Sequence, residues 1–297
     1  MIYNFEAKTY SSLLSFDLTK AFDCVNHKIL LDKLKHYCVK QNSIQLQESY
    51  LSNRTQFVFF KNSASCIKFI TTGVPQGSVL GPLLFLIYIN DLPNCISIGK
   101  SVLFADDTSV IINNKTYDRL LHLTSIVETE VNCWFAANNL LPNKQKMQSI
   151  IFSLCPLKTH TDPILFLGLK LDAHLTWEAH VQFLLDRLSH KLFFLRRLND
   201  IVSTNVLVTA YYASVHSIIS YGILVWGHSM QSKKIFAFQR KCIRVIAGIY
   251  YRDDCRPYFI RLKILTLPCV FIFQCLLYIY KHMSNYTTYE HNYSIRN

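Results

Sequence analysis

The sequence predicts an α+β fold, an antiparallel sheet with packed helices followed by a purely helical region. Short apolar and β-branched runs alternate with helical periodicities as far as about residue 177. One of these runs reads as strand, tight turn and strand around Asp106 and Asp107. Beyond residue 177 the apolar spacing is helical. With 297 residues, the chain is long enough for one large domain or two smaller ones with real cores.

The elements up to residue 177 follow from this spacing in chain order. Val25, Ile29, Leu30, Leu34 and Tyr37 recur at helical spacing, and Pro82 suits the first turn of a helix. A turn is expected at Gly73. The predicted strands are 13–18, 56–61, 66–72, the hairpin 103–113, 148–154 and 164–171, and the predicted helices are 26–39, 83–90 and 117–137.

Two helical stretches are predicted after residue 177. In the first, an apolar stripe runs from Val181 to Leu195, and four basic side chains lie off it: Arg187, Lys191, Arg196 and Arg197. The second stretch covers residues 204–280. Its apolar part, 264–280, is interrupted by Pro268 and Gln274, which favours a buried amphipathic helix over a membrane span. We therefore expect no stable membrane association.

Charge and cysteine content narrow the class of protein. The formal net charge is +12, and residues 181–263 hold 13 Lys or Arg against 4 Asp. Such a surplus suits a polyanionic partner, although a solvated basic face would have the same composition. The ten cysteines show no Cys-x-x-Cys or zinc-finger spacing, and the N-terminus does not read as a signal peptide. An intracellular protein with reduced thiols is expected.

Adjacent aspartates are the most informative feature of the chain. At about 4 Å and an effective dielectric constant near 20, the repulsion between two carboxylates costs roughly 4 kcal/mol. A bound divalent cation converts that cost into binding energy. The Asp106-Asp107 pair alone is also compatible with a simple turn. Two other segments favour a functional site over a simple turn. Asp17 follows the apolar stretch 13–16, and the glycines of segment 73–78 permit a close approach of the backbone to a ligand.

Together the three segments resemble motifs A, B and C of reverse transcriptases, in particular those of non-LTR (LINE-type) retrotransposons of the jockey and CR1 group. The resemblance covers nearly the whole chain. The matching residues are Phe16-Asp17-Leu18-x-Lys20-Ala21-Phe22-Asp23-x-Val25, Gly73-Val74-Pro75-Gln76-Gly77-Ser78-Val79-Leu80-Gly81-Pro82-Leu83-Leu84-Phe85, Asn90-Asp91-Leu92-Pro93, Phe104-Ala105-Asp106-Asp107-Thr108, Phe166-Leu167-Gly168 and Tyr221-Gly222-x-x-x-Trp226-Gly227.

The resemblance implies an RNA-directed DNA polymerase that transfers a nucleotide to a primer 3′-hydroxyl with two Mg²⁺ ions, or with Mn²⁺. Asp17 and Asp106 would be the main metal ligands, Asp107 would assist, and the carbonyl of Leu18 would add a ligand. Asp23 is interpreted as a helix cap and not as a ligand.

The same resemblance assigns the substrate contacts. Phe22 would be the steric gate that excludes a 2′-hydroxyl, although a core phenylalanine is the alternative. Gln76 and Gly77 would contact the incoming nucleotide and the template base. Lys146 would be the general acid toward pyrophosphate. Residues Phe166, Leu167 and Gly168 would form the primer grip.

The resemblance also implies a domain organisation: a palm with motifs A to E at 1–177, a thumb helix region at 178–203 and a helical C-terminal region at 204–297. In the thumb, Arg187, Lys191, Arg196 and Arg197 would follow the nucleic acid, although an ordinary surface helix has the same pattern. The implied partners are an RNA template, a DNA primer and deoxynucleoside triphosphates, and the implied compartment is the nucleus.

The start of the chain departs from the family. Only sixteen residues precede Asp17, whereas the family has a fingers region with triphosphate-binding basic residues there. The fingers are therefore expected to be mostly missing, as in a truncated copy, and polymerase activity is expected to be impaired. The alternative function is a non-catalytic nucleic-acid-binding remnant of such an element. An RNA-dependent RNA polymerase would share the metal chemistry, but Phe22 argues against it.

Overall fold

A computed structural model describes residues 9–153 and 162–285 of the chain. The predicted strand end at Leu154 and the last residues of the predicted C-terminal region lie outside the described residues. The chain forms two compact units, Met1–Ile164 and Leu165–Asn297. The first unit contains, in chain order, β1 (Tyr10–Phe16), α1 (His27–His36), α2 (Gln41–Leu51), β2 (Thr55–Gln56), β3 (Phe59–Phe60), β4 (Ser63–Ala64), β5 (Lys68–Phe69), α3 (Leu80–Ile89), β6 (Lys100–Phe104), β7 (Asp107–Asn114), α4 (Tyr117–Ala137) and β8 (Gln148–Phe152).

A four-stranded antiparallel sheet organises the first unit, with the strand order β6-β7-β1-β8. The predicted antiparallel sheet and the predicted hairpin are thereby confirmed. β1 is nearly fully buried along its length because it lies between two neighbours in the middle of the sheet. It pairs with β7 from Tyr10 opposite Asn114 to Phe16 opposite Thr108. This register determines which residues of β1 and β7 lie next to each other at each end of the sheet.

Helix α4 has the bounds that its apolar spacing predicts. Its buried side chains are Leu120, Val127, Val131 and Phe135, and the ring of Phe135 packs edge-on against Phe16 at 6.0 Å. The helix therefore covers the sheet with a continuous apolar face. Two further apolar residues of this helix, Leu123 and Trp134, are only half-buried.

The start of α1 corrects the prediction for Asp23. The residue that caps α1 is Asn26, whose side-chain oxygen accepts a hydrogen bond from the backbone amide of Ile29 at 3.2 Å. Asp23 lies earlier, in the short 3₁₀ helix Ala21–Asp23. The interpretation of Asp23 as a cap is wrong because the chain makes an additional turn before the helix begins.

Between residues 40 and 70 the sequence patterns were least informative. Helix α2 was not predicted, because it buries only Ile44 and Leu51 and begins without a side-chain cap. The two strands predicted at 56–61 and 66–72 are instead two pairs of two-residue strands, β2 with β5 and β3 with β4. All eight residues of these strands are exposed, so no buried face extends the pairing.

The second unit begins with a hairpin, where a strand was predicted at 164–171, and it continues as helices, as predicted. Its longest helix buries the predicted stripe Val181, Leu184, Leu188, Leu192 and Leu195, while Leu185 is half-buried. The elements are β9 (Ile164–Phe166), β10 (Leu169–Leu171), α5 (Glu178–Asn199), α6 (Thr204–Tyr211), a π-helix (Tyr212–His216), α7 (Ser217–Ser220), α8 (Ile223–Trp226), α9 (Ser232–Ala247), α10 (Arg256–Arg261) and α11 (Leu267–Lys281).

Gln239 is a buried polar centre of the second unit. Its amide nitrogen donates hydrogen bonds to the hydroxyl of Tyr211 at 2.8 Å and to the carbonyl of Leu265 at 2.9 Å. Its amide oxygen accepts one from the backbone amide of Leu267 at 2.8 Å. A fully buried amide costs free energy unless it is paired, and here these three bonds tie α9 to α6 and to the start of α11.

Helix α11 covers most of the apolar stretch 264–280 and is not buried as predicted. Only Leu267 and Val270 of the helix are buried, whereas Leu276 is 60% exposed and Tyr280 is 78% exposed. The buried-helix interpretation is therefore wrong for the later turns, because only one face of α11 packs against the rest of the unit. In the described part of the chain, no helix combines the length and the apolar character needed to cross a membrane.

Candidate active site

The candidate active site lies at one end of the four-stranded sheet. Asp17 directly follows β1, and the pairing of Phe16 with Thr108 places it beside Asp107, the first residue of β7. Asp106 occupies the two-residue turn that joins β6 to β7. The other residue of this turn, Ala105, has a φ of +52°, a left-handed conformation that costs free energy for a residue with a Cβ atom. Two antiparallel pairings thus bring Asp17 close to the adjacent pair Asp106 and Asp107, which lies about ninety positions later in the sequence.

The charges of these carboxylates interact. Burial raises the pKa of Asp107, the nearby charges of Asp106 and Asp17 raise it further, and Lys146 acts in the opposite direction. The ammonium of Lys146 lies 3.2 Å from a carboxylate oxygen of Asp17, whose side chain is 29% exposed. The site therefore concentrates negative charge at the sheet edge, with partial compensation by one lysine.

Lys146 is positioned by the backbone of the preceding loop. The amide of Asn143 donates to the carbonyl of Asp17 at 2.8 Å, and the amide of Thr19 donates to the carbonyl of Leu141 at 2.8 Å. Leu18 is buried and forms an isolated bridge with Pro142. These contacts fasten the loop to the end of β1, so the lysine stays beside Asp17.

The oxygen atoms of the three aspartates are chemically suited to bind a hard divalent cation. All three candidate side chains offer carboxylate oxygens, which Mg²⁺ and Mn²⁺ prefer. Within residues 9–153 and 162–285, no group of three or more His, Cys, Asp or Glu side chains forms a ready-made metal cage. A divalent cation would replace the Lys146 contact of Asp17 and relieve the repulsion that raises the pKa of Asp107.

Segment 73–76 docks on the turn that follows Asp17. The amide of Gly73 donates to the carbonyl of Val25 at 2.7 Å, and that of Val74 donates to the carbonyl of Phe22 at 2.8 Å. The side-chain amide of Gln76 donates to a carboxylate oxygen of Asp23 at 2.8 Å. The motif A and motif B segments therefore form one hydrogen-bonded substructure.

The two glycines of this segment serve different purposes. A Cβ atom on Gly73, whose φ is +89°, would lie 2.9 Å from the backbone of Asp23. Its close approach is therefore to the protein's own backbone and not to a ligand, which corrects the expectation for this residue. Gly77 has a φ of +80°, and nothing lies within 4 Å of the position of its missing Cβ. The backbone at Gly77 is open to an incoming molecule.

Phe22 has features of a core phenylalanine and of a steric gate, the two interpretations that its sequence position allows. Its ring packs against the buried Phe85, with 4.6 Å between the centroids and a tilt of 32°. The side chain is only half-buried, so part of the ring remains exposed. Core packing holds the exposed part of the ring in a fixed position, as a steric gate requires.

A cavity of about 530 Å³ is lined by Gln76 and by two basic residues to which no sequence pattern gave a role, Lys20 and Arg54. Arg54 donates to the carbonyl of Tyr50 at 3.4 Å and lies 5.4 Å from the centroid of the Tyr50 ring. Lys20 belongs to the motif A segment, and this membership could have indicated that it lies near the candidate active site. No pattern pointed to Arg54, because it lies between the unpredicted α2 and a two-residue strand.

In the second unit, Phe166, Leu167 and Gly168 lie in the hairpin formed by β9 and β10. The turn between β9 and β10 consists of Leu167 and Gly168, whose φ values are +44° and +80°. The hydroxyl of Tyr221 donates to the carbonyl of Leu167 at 2.6 Å. The tip of the hairpin is thereby fixed to the helical part of the same unit.

The basic residues of α5 lie off its buried stripe. Arg187, Arg196 and Arg197 are exposed, and Lys191 is half-buried. Arg187 lies 5.5 Å from the ring centroid of Phe183, one helical turn earlier, and Arg197 has the same relation to Phe193 at 5.6 Å. The placement of these four residues is compatible with both a surface helix and a nucleic-acid contact.

Residues 2–171 match the family described as Reverse transcriptase (RNA-dependent DNA polymerase). The chain belongs to the reverse transcriptase family. Curated relatives are also similar to it. The probable RNA-directed DNA polymerase from transposon BS of Drosophila melanogaster is 30% identical over 86% of this chain and 30% of its own length. The corresponding protein from the X-element is 31% identical over 82% of this chain and 29% of its own length.

A third Drosophila melanogaster relative, the RNA-directed DNA polymerase from mobile element jockey, is 30% identical over 82% of this chain and 29% of its own length. This reverse transcriptase chain thus spans less than a third of the length of the curated relatives that it matches. The predicted resemblance to LINE-type elements of the jockey group is confirmed.

The fold is confirmed independently. A solved telomerase from Candida albicans, in complex with the TWJ fragment of telomeric RNA, matches 86% of this chain and 51% of its own, with a TM-score of 0.51 and 11% sequence identity. The reverse transcriptase fold of this chain therefore consists of a polymerase palm followed by a helical region, as predicted. Reverse transcriptases generally use divalent metal ions.

Proposed function

We propose that this chain carries the catalytic palm of a retrotransposon RNA-directed DNA polymerase, which adds deoxynucleotides to a DNA primer along an RNA template. The observation that supports this proposal best is the position of Asp17, Asp106 and Asp107 at one end of a single antiparallel sheet. The curated relatives, named RNA-directed DNA polymerases, support the same activity. A nuclear location would follow from this role.

In this proposal, Asp17 and Asp106 hold two Mg²⁺ ions, or Mn²⁺, with help from Asp107 and the carbonyl of Leu18. When bound, these ions lower the pKa of the primer hydroxyl and neutralise the charge of the leaving pyrophosphate. Lys146 is close enough to the carboxylates to hold a proton for the pyrophosphate.

The remaining residues position the substrates. Gln76, fixed by Asp23, and the open backbone of Gly77 contact the incoming nucleotide and the template base. Lys20 and Arg54 line the adjoining cavity and offer positive charge to the triphosphate. In the second unit, the hairpin tip Phe166 to Gly168 holds the primer, and the basic residues of α5 contact the backbone of the nucleic acid.

A non-catalytic nucleic-acid-binding role is the second candidate. Two observations favour it: Asp17 is paired with Lys146, and the described residues contain no ready-made three-ligand metal group. The two candidates differ in whether the aspartates bind a divalent cation and in whether a primer is extended.

A manganese titration followed by electron paramagnetic resonance tests the metal site. We expect the unmodified chain to bind Mn²⁺ and Asp106→Asn to bind it at least about tenfold more weakly, because a carboxylate ligand is lost. Saturation at 100 times the dissociation constant would stabilise the folded chain by about 2.7 kcal/mol. Asp118→Asn, on the exposed first turn of α4, is the control and should bind like the unmodified chain.

Equal Mn²⁺ affinity in the unmodified chain and in Asp106→Asn would contradict the proposed metal site. Extension of a DNA primer on an RNA template, lost in Asp106→Asn and retained in Asp118→Asn, would support the polymerase. Metal binding without any extension would favour the non-catalytic alternative.

Replacement of Phe22 by alanine tests the steric gate. In the extension reaction, we expect Phe22→Ala to lower the preference for deoxynucleotides over ribonucleotides by at least about tenfold, because space opens beside the ring of Phe85. Phe22→Tyr keeps the bulk of the ring and should keep the preference. The ratio of incorporation rates for the two nucleotide classes is the measurement, and an unchanged ratio in Phe22→Ala would show that Phe22 is only a core residue.

A further inference from the structure

The second unit contains a cavity whose lining residues lie outside the three motif segments that carry the candidate active site. Its volume is about 590 Å³, and it is lined by residues from α9, α10 and the loop that precedes α11. Three arginines and two phenylalanines stand out among these residues: Arg240, Arg244, Arg256, Phe236 and Phe259. The combination of apolar walls and several guanidinium groups is typical of a recognition site for an anion with an attached planar or apolar group.

The three arginines of this cavity form no salt bridge with any residue that the structure describes. Arg244 donates to the backbone carbonyl of Asp253 at 3.3 Å, which orients the guanidinium without cancelling its charge. Arg240 lies 5.2 Å from the ring centroid of Phe236. These contacts restrict the motion of two guanidinium groups before any ligand binds.

The two neighbouring aspartates, Asp253 and Asp254, accept hydrogen bonds from nearby backbone amides. One carboxylate oxygen of Asp253 accepts a hydrogen bond from the amide of Tyr250 at 2.9 Å, and one of Asp254 accepts from the amide of Arg256 at 3.0 Å. Residues 232–263 nevertheless hold nine Lys or Arg against two Asp. Even with both aspartates ionised, the surplus positive charge of this segment attracts a polyanion.

Two tyrosines project from the loop between α9 and α10. Tyr250 is 84% exposed and Tyr251 is 76% exposed, and the guanidinium of Arg244 lies 5.5 Å from the ring centroid of Tyr251. Exposed aromatic rings beside arginines are the stacking surfaces that single-stranded nucleic acids use. Bases in a duplex are already stacked on each other, so these rings offer a duplex much less than they offer a single strand.

We propose that Arg240, Arg244, Arg256, Tyr250 and Tyr251 form a binding site for single-stranded nucleic acid. The arginines bind backbone phosphates at the cavity, and the tyrosines stack with unpaired bases. This site, the arginine–tyrosine site, goes beyond the proposed polymerase activity. It does not require the aspartates of the first unit or a metal ion.

Equilibrium binding of a fluorescently labelled oligonucleotide of about 12 nucleotides tests the site, with the full chain in EDTA and without nucleotides. The charge variant is Arg240→Gln combined with Arg244→Gln and Arg256→Gln. The stacking variant is Tyr250→Ala combined with Tyr251→Ala. A matched control removes three exposed lysines elsewhere: Lys28→Gln, Lys40→Gln and Lys115→Gln.

We expect the charge variant to bind a single strand at least tenfold more weakly and to lower the slope of log K against log salt by about 2, at about 0.7 per phosphate contact. The stacking variant should bind roughly tenfold more weakly with the slope unchanged, because stacking carries no charge. The lysine control should retain most of the affinity. A second version of the charge variant, with lysine in place of each arginine, should keep the salt slope, which excludes a loss of folding as the cause.

Equal losses in the charge variant and the lysine control would overturn the proposal, because binding would then depend on net charge alone. Equal affinity for a duplex and a single strand, or no effect of the stacking variant, would overturn the assignment of the tyrosines. The assay contains EDTA and no nucleotides, so neither metal binding nor primer extension contributes to it. The result is therefore separable from the outcome of the polymerase test.

Discussion

Gly73→Ala is expected to lower the free energy of unfolding of the first unit by about 3 to 4 kcal/mol. Two costs combine in this variant: the strain of a Cβ atom at a φ of +89° and a contact of 2.9 Å with the backbone of Asp23. The backbone of Asp23 cannot yield easily, because the amides of Gly73 and Val74 bind the two sides of its turn. Denaturant unfolding followed by circular dichroism measures the loss.

Gly77→Ala is the matched control within the same segment. Gly77 also has a left-handed φ, +80°, but its missing Cβ faces open space. Gly77→Ala should therefore lower the free energy of unfolding by only about 1 to 2 kcal/mol, which is the cost of the backbone conformation. Equal losses for the two variants would show that the contact with Asp23 contributes nothing. Gly73→Ala should also separate Gln76 from Asp23 and thereby weaken the nucleotide contacts proposed for this segment.

Acidification is expected to destabilise the second unit through His180. This histidine is 1% exposed, and burial, followed by the charge of Arg187, lowers its pKa to about 4. Its Nδ1 accepts a hydrogen bond from the amide of Lys170 at 3.2 Å, which requires the neutral ring. Its Nε2 has no hydrogen-bond partner in the described part of the chain.

Proton linkage determines whether His180 stabilises or destabilises the folded chain as the pH falls. Between about pH 6.5 and pH 4, the unfolded chain binds a proton at this position while the folded chain does not. Stability is therefore fully present above the ordinary pKa and is lost as the pH falls through this window. The loss approaches roughly 3 kcal/mol at the lower end.

His180→Asn should flatten this pH dependence, because the side-chain oxygen of asparagine accepts a hydrogen bond but does not titrate in the window. The signal is tryptophan fluorescence, since the rings of Trp177 and Trp226 lie 6.1 Å and 5.7 Å from the imidazole. His122→Asn, at an exposed position of α4, is the control and should keep the dependence. His216, whose pKa is also lowered by burial, contributes equally to the protein with and without the His180 change. An unchanged slope in His180→Asn would contradict the assignment.

Much of the site was predictable because its signals are local. The apolar runs beside Asp17 and Asp106 identify strands that end at carboxylates, and the spacing of Leu120, Val127 and Val131 identifies α4 from its first residue to its last. Charge, motif spacing and the family resemblance need only neighbouring residues. The sequence by itself therefore determined the family and the α+β class, and it identified the three aspartates that we propose as metal ligands.

Only the tertiary structure decided which distant residues meet. It assigned the cap of α1 to Asn26, directed the close approach of Gly73 to Asp23, and brought Arg54 to the cavity beside Gln76. Arg240 and Arg256 converge on one cavity although sixteen positions separate them in the chain. Such contacts depend on turns and on packing between elements, whose free energies are small differences summed over many atoms. No short pattern in the sequence encodes those sums.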